Sequence, residues 1–480
     1  VAAEQMALSN ALSAWWYPTP ARIGMGVTGG SSYLKSRWFA NFVLILAALL
    51  ALSGALIVSP LWDASRPDSS RQWAFSGALL TAAGILLLCL RLPLSARISL
   101  SVTLLSIGVG LYAMEGVLRW QNASRVRYAA ARAGNRYDPR MRLEVLQDLR
   151  RSGVEAWPLV FPADMSGREA SPSLFPLGGI SKVTTVHCNE IGPYLIYRSD
   201  EHGFQNPPGL WELPELQVAL VGDSFAQGNC VASDQNAAAR IRADFPATLN
   251  LGMEGNGPLA ELAGIREFLP ELHPRQVVWV FCAANDLVFD LPREKAEPIL
   301  RKYLEPTFRQ GLRSRQDEVD AILRRRVSGL IEEQTMLRRK NQAKWDYLQG
   351  WLRLRMLRHS VGLRLTPRRP SVETDLELLR SVLEAARDSV SSWGGKLYFV
   401  YLPSQEVFLD PKFARENEPE RRSILKLLDE LHISSIDLLP AFQSQKDPNA
   451  LYAITGAHFN PQGYQLMGKT IADALKAGSH

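Results

Sequence analysis

Apolar and polar residues follow two different rhythms along this chain. In the first quarter, three apolar runs without amphipathic period occupy residues 38–59, 73–90 and 98–118, the last carrying a single acid, Glu115. An uncharged run of about 20 residues is long enough to cross a bilayer, and 73–90 reaches the lower limit. Trp38, Trp62 and Trp73 stand at the edges, where interfacial anchors belong. The pattern predicts a three-helix transmembrane anchor over 38–118. Buried core helices would also be apolar all round, and a cleaved signal peptide is the alternative for the first run. Its length and the two runs that follow argue against the latter.

From about residue 216 the rhythm changes. Short continuous apolar runs at 216–222, 247–252, 276–284, 395–403 and 432–437 alternate with helix-like stretches at 234–243, 258–269, 373–393 and 418–431, before an amphipathic final helix. Apolar strands separated by helices predict a parallel sheet covered on both faces. The fold class expected is α/β, a doubly wound, mostly parallel sheet of flavodoxin-like layout, preceded by three N-terminal transmembrane helices. Residues 119–215, punctuated by Pro and Gly, read as a lead-in or small subdomain. Residues 293–370 interrupt the α/β alternation with a polar, helix-rich insertion. It holds Arg324-Arg325-Arg326 and Arg338-Arg339-Lys340, with Trp345 and Trp351 nearby. Such a stretch reads as a solvated insertion or as a surface for anionic headgroups or an acidic polymer.

Charge orients the anchor. Lys35 and Arg37 precede the first run, and Arg91 and Arg97 separate the second from the third, so residues 1–37 and the second connection are expected in the cytoplasm. Three crossings then place everything after 118 outside, facing the periplasm of a bacterial inner membrane. The formal net charge of +6 does not indicate nucleic acid, and none is expected as a partner. Cys188, Cys230 and Cys282 would face an oxidising compartment, leaving room for one disulfide, while Cys282 in an apolar strand reads as a small buried thiol. The cysteine and histidine spacings suggest no metal, and no motif requires a cofactor.

The candidate chemistry lies where the strands end. "VALVGDSFAQGNCV" (218–231) runs from a strand through Gly222-Asp223-Ser224 into a helix start. Ser224 there is either a nucleophile or a capping serine. The second strand leads to "LNLGMEGNGP" with Gly255, whose N–H can approach a substrate oxygen closely. The third ends in "AANDL", where Asn285 offers a side-chain amide or caps a helix. "ITGAHFNPQGYQ" puts His458 in a loop before the last helix.

In this order, Gly222-Asp223-Ser224, Gly255, Asn285-Asp286 and His458 resemble the four sequence blocks of the SGNH (GDSL) hydrolase superfamily. The resemblance covers about residues 216–480, apart from the insertion. It implies Ser224 as nucleophile, His458 as base, and an oxyanion hole made by the N–H groups of Ser224 and Gly255 and the Asn285 amide. The segment "DEHGFQNP" (200–207) is similar, more loosely, to membrane-anchored members associated with surface polysaccharides. The chain departs from the family at two places: Thr455 stands where an Asp usually orients the histidine, and Ala283 where the third block usually begins with Gly. Thr455 becomes the candidate orienter, with Asp437 and Asp447 also near His458 in sequence.

The expected function is a membrane-anchored serine esterase acting on acyl, above all O-acetyl, esters of cell-envelope polysaccharide. An O-acyltransferase using the same residues, and a catalytically silent glycan-binding or scaffold module, are the alternatives. The expected partners are an acylated glycan, the lipid bilayer and components of an envelope polysaccharide system.

Overall fold

The computed structural model describes residues 29–58, 69–132, 137–165, 174–339, 348, 350–351, 354–360, 372–453 and 458–478. Among the singled-out residues, Trp62, Lys340, Trp345 and Thr455 lie outside these. The chain forms two units, one drawn from 1–116 with 354–368 and the other from 117–353 with 369–480.

The first unit contains the helices Gly29–Val58 and Ser69–Leu88, most of the apolar part of Leu94–Arg132, and the short helix Arg355–Ser360. Among the described residues, two stretches are long and apolar enough to cross a membrane, Tyr33–Leu56 and Leu94–Ser124. This corrects the expected three spans. The middle run is helical, but Ser69, Ser70, Arg71 and Gln72 occupy its first turn and Arg91 closes it, so its apolar part, Ser76–Arg91, falls short. Trp38, Phe42, Leu50 and Val109 point outward. Three polar side chains turn to neighbouring helices instead. Ser76 Oγ donates to the Ala55 carbonyl at 3.2 Å, Ser101 Oγ to Ala40 at 3.1 Å, and Arg97 to Asn41 at 2.7 Å. In lipid such groups must be satisfied internally. Glu115, fully buried, accepts from the backbone N–H groups of Met356 and Leu357.

The second unit carries a small sheet of β1 (Ala156–Pro158), β2 (Thr184–Val186) and β3 (Ile196–Arg198), then a sheet of β4 (Val218–Gly222), β5 (Thr248–Asn250), β6 (Gln276–Cys282), β7 (Lys396–Leu402) and β8 (Ser434–Asp437). The larger sheet has the order β5-β4-β6-β7-β8, and every pairing is parallel. This is the doubly wound arrangement read from the sequence. Its strands are apolar throughout because both faces are covered. Val277, Trp279 and Phe281 of β6 with Leu397, Phe399 and Tyr401 of β7 face the layer built by the helices Pro258–Phe268, Val372–Ser391 and Pro411–Glu430. Val278, Val280, Tyr398, Val400 and Leu402 face the other layer, where Ala237–Arg242 and Pro461–Ala477 pack. The strand order reverses between β4 and β6, and crevices at such switch points gather ligands at the carboxyl ends of strands.

The insertion is not solvated throughout. Leu300, Tyr303, Leu312, Val319, Leu323 and Val327 belong to the main core, and Arg324 is engaged by Glu155 and lies over the Trp157 ring. Leu159, Val160, Leu174 and Phe175, from the lead-in, join the same core. Asp200 of "DEHGFQNP" is a buried hub. It accepts from the N–H groups of His202 and Phe204, from Asn206 and from Trp211 Nε1. Asn206 in turn grips Asn250 at the sheet edge, so this motif bolts the lead-in to β5.

Candidate active site

The turn after β4 can be built only with glycine. Gly222 has φ +154°, and a Cβ there would meet Ala226 Cβ at 2.7 Å and the Val280 carbonyl at 2.8 Å. Asp223 follows as N-cap, accepting from the Phe225 N–H at 2.8 Å, and Ser224 opens the helix Ser224–Gln227. Its N–H is therefore one of those without an intrahelical acceptor.

His458 is held by what flanks it. Tyr452 and Phe459 form an antiparallel bridge, Ala453 N–H donates to the His458 carbonyl at 2.7 Å, and Asn460 caps the helix Pro461–Ala477. Phe459 is fully buried among Phe225, Phe442 and Tyr464. The imidazole emerges beside the Ser224 turn, with Nε2 at 2.9 Å from Ser224 Oγ.

On the other side of the ring stands Glu190. Its two carboxylate oxygens lie 2.9 and 3.0 Å from His458 Nδ1. A carboxylate at Nδ1 fixes the tautomer that leaves Nε2 free to accept the serine proton. Thr455, the candidate orienter, lies outside the described residues, and Asp437 is engaged by Arg421. Glu190 was not among the residues the sequence pointed to, because it comes from the lead-in. The one available signal was Cys188, two residues before it: Cys188 is disulfide-bonded to Cys230, six residues beyond Ser224. A second link joins the same loop to the Gly255 loop, His187 Nε2 to Glu254 Oε2 at 2.7 Å.

Burial opposes the charged imidazole, but the Glu190 hydrogen bond and charge, with Asp223 and Glu254 behind them, outweigh it and hold His458 above the ordinary histidine range. Burial pushes Asp223 up against the hydrogen bonds it accepts from the Phe225 N–H and Asn285. Glu190, Cys230 and His458 have ligand atoms within 4.8 Å of one another, the spacing of a metal site. Cys230, however, is bonded to Cys188, and both His458 nitrogens already have partners.

Gly255 has φ +74°, a conformation other residues adopt at a cost, and a Cβ there would meet Ala163 Cβ at 3.2 Å. Asn285 follows β6 and donates from Nδ2 to Asp223 Oδ2 at 3.1 Å and to Asp290 Oδ2 at 2.6 Å. The same Asp223 oxygen lies 3.5 Å from Ser224 Oγ, so Ser224 and the Asn285 amide meet at one carboxylate oxygen. Ala283, at the first position of the third block, donates its N–H to Leu402 and leaves the turn intact. The sequence-predicted residues Ser224, His458 and Asn285 thus come together with Glu190 at the rim of the sheet. Gly255 joins them through Arg293, which donates to its carbonyl and pairs with Asp290.

Comparison with known proteins agrees with this architecture. A family model described as GDSL-like Lipase/Acylhydrolase family matches residues 220–466. No curated protein matches the chain. Among solved structures, a lipase/acylhydrolase from Enterococcus faecalis is 15% identical, with 55% of this chain and 96% of that one covered at a TM-score of 0.31. An acetyl xylan esterase, AlAXEase, is 13% identical over 54% and 99% at 0.30. A psychrotrophic esterase, EstA, from Pseudoalteromonas sp. is 10% identical over 55% and 98% at 0.28.

Proposed function

This chain belongs to the GDSL-like lipase/acylhydrolase family, and we propose that it is a membrane-anchored serine esterase that removes acyl groups, O-acetyl groups above all, from an envelope polysaccharide. The observation that carries the reading is the line Glu190–His458–Ser224, with 2.9 Å contacts on both sides of the imidazole. It supplies the orienting carboxylate that the departure at Thr455 had put in doubt, and so favours catalysis over a silent module.

In the mechanism, His458 Nε2 takes the hydroxyl proton as Ser224 Oγ bonds to the ester carbonyl carbon. The N–H groups of Ser224 and Gly255 and the Asn285 amide receive the developing oxyanion, usually the largest single contribution to such catalysis. Glu190 steadies the imidazolium. The C–O bond to the alcohol breaks and His458 returns the proton to the departing oxygen. Water then loses a proton to His458, attacks the acyl-serine and releases the carboxylic acid with Ser224 restored.

A cavity of about 400 Å³ adjoins the Glu190 loop at Ile191 and the disulfide at Cys230, with Leu195 and Ile196 as well as Tyr194 and Gln235 in its lining. The helices Tyr33–Leu56 and Leu94–Ser124 support the membrane anchor. Two crossings put the segment before Tyr33 on the same side as the large domain, so the charge bias at Lys35 and Arg37 no longer supports an outside placement, and the disulfide alone supports an oxidising compartment.

The test is covalent labelling by a fluorophosphonate. The native chain is expected to label and Ser224→Ala not to; a native chain that does not label removes the esterase reading. Acetate release from an O-acetylated polysaccharide tests the substrate class. Protease applied to oriented inner-membrane vesicles tests the sidedness, and cleavage of the large domain from the cytoplasmic side would contradict it.

A further inference from the structure

We propose that Asp290 and Arg293 are positioning residues that brace the carriers of two oxyanion donors at once, the side chain of Asn285 and, through its carbonyl on the following peptide, the residue Gly255. This rests on the reading of Ser224 as nucleophile. The Asn285 amide has two hydrogens and, in the resting site, two carboxylate acceptors. The hydrogen aimed at Asp223 lies on the nucleophile's side, since that Asp223 oxygen is 3.5 Å from Ser224 Oγ. The other, aimed at Asp290, makes the shorter bond.

An oxyanion on the carbon attached to Ser224 Oγ needs a donor at about 3 Å. Asn285 meets that need by exchanging the longer bond to Asp223 for one to the oxyanion while Asp290 keeps the amide plane fixed. Burial pushes Asp290 up to about 6 against the pull of Arg293, which still leaves it ionised and a strong acceptor at neutral pH.

The brace extends further. Asp290 Oδ1 takes Arg293 Nη1 at 2.8 Å, and Arg293 Nη2 donates to the Gly255 carbonyl. One ion pair therefore touches the carriers of both donors. Local geometry explains how. Residues Asp286–Asp290 form a π-helical turn in which the Asp290 N–H donates to the Asn285 carbonyl at 3.0 Å. The extra residue in this turn swings the Asp290 carboxylate back over the Asn285 amide. The next helix, Leu291–Lys295, starts directly after Asp290 with Pro292 in its first turn and sets Arg293 three residues beyond Asp290. Single π-helical turns are rare and concentrate at functional sites.

The experiment uses the full chain in detergent micelles with 4-nitrophenyl acetate, and melting temperature is recorded for every variant. Fluorophosphonate labelling of the native chain is run first: absence of labelling overturns the nucleophile reading, and with it this one. Given labelling, Asp290→Asn and Arg293→Gln are expected to lower kcat by about 10- to 100-fold, a fraction of what loss of an oxyanion donor costs, with KM within about threefold. In an Asn285→Ala background, Asp290→Asn is expected to cost a smaller factor than in the native chain, because only the Gly255 arm of the brace is then left to lose and residues acting as a unit are not additive. Arg293→Lys is expected to recover part of the lost kcat. If Asp290→Asn costs the same factor in both backgrounds, or kcat is unchanged while labelling persists, the brace is overturned and the nucleophile assignment stands. Arg293 is one-third exposed, so Arg293→Gln keeps the test decisive should Asp290→Asn fail to fold.

Discussion

Cys188 and Cys230 are disulfide-bonded with their Cα atoms 5.2 Å apart, and the bond ties the loop carrying Glu190 to the loop leaving Ser224. The carboxylate at His458 Nδ1 is thus tied to the Ser224 turn by a covalent strap rather than by a shared strand. Replacing both cysteines by serine is expected to lower stability by about 2–4 kcal/mol, typical for a native disulfide. Turnover is expected to fall as well, by up to about 10²-fold, the effect of a small misplacement of a reacting group. Urea unfolding and 4-nitrophenyl acetate hydrolysis, each with and without dithiothreitol, check this. Unchanged turnover in the reduced chain would show that Glu190 keeps its place without the strap.

Glu190→Gln should separate orientation from charge. The amide preserves size, but it presents either an N–H or a neutral oxygen to Nδ1 and no longer stabilises the imidazolium. A loss of about 10²- to 10⁴-fold in kcat is expected, in the range seen when the orienting acid of a serine triad is neutralised. The His458 pKa should also fall, since Glu190 supplies the largest upward pull on it. The acid limb of the pH–rate profile would then move to lower pH. A variant with reduced kcat and an unmoved acid limb would argue against direct contact in solution.

Asp200→Asn should act on stability and leave the active-site bonds in place. Asp200 Oδ1 accepts two backbone N–H groups, while Oδ2 accepts Asn206 Nδ2 and Trp211 Nε1. An asparagine can satisfy only one of these pairs and turns its own donor toward the other. A cost of about 2–4 kcal/mol follows from leaving buried donors unpaired. Chemical denaturation measures it, and fluorophosphonate labelling of the folded fraction should proceed at close to the native rate.

The legible parts of this chain are those encoded locally. The five strands of the large sheet announce themselves as apolar runs because both sheet faces are buried, and Ser224, Asn285 and His458 stand at the ends of such runs or just before a helix. Glu190 carries no local cue: 268 residues separate it from His458, and its loop is brought across by the disulfide and by the His187–Glu254 contact. The core role of the insertion was hidden because Leu300, Tyr303, Leu312 and Leu323 are diluted among charged residues that face outward. The middle N-terminal run looked like a span by hydropathy, but polar residues take up the first turn of its helix and shorten the apolar part.

Activity and stability are expected to run in opposite directions with pH. Acylation needs neutral His458, whose pKa is raised, so kcat/KM should climb with pH through a midpoint above about 6.5. Stability responds to the same proton with the reverse sign. A raised histidine contributes fully below its unfolded value and loses that contribution as pH rises through the folded one. Three buried carboxyls add to this slope: burial pushes Asp200 and Asp290 to about 6 and Glu294 to about 8. Each stays protonated in the folded chain at pH values where the unfolded chain has already released the proton. The carboxylates held low by arginine and lysine partners, Asp138, Glu155 and Asp244 among them, act in the acid range near and below their ordinary values. Between about pH 5 and pH 8 the folded state therefore binds more protons than the unfolded one, and unfolding free energy should decrease as pH rises. Urea midpoints of the full chain in detergent at about pH 5.5 and pH 8, measured beside the pH–rate profile, decide it. A midpoint that rises with pH would mean that these buried groups ionise as freely folded as unfolded.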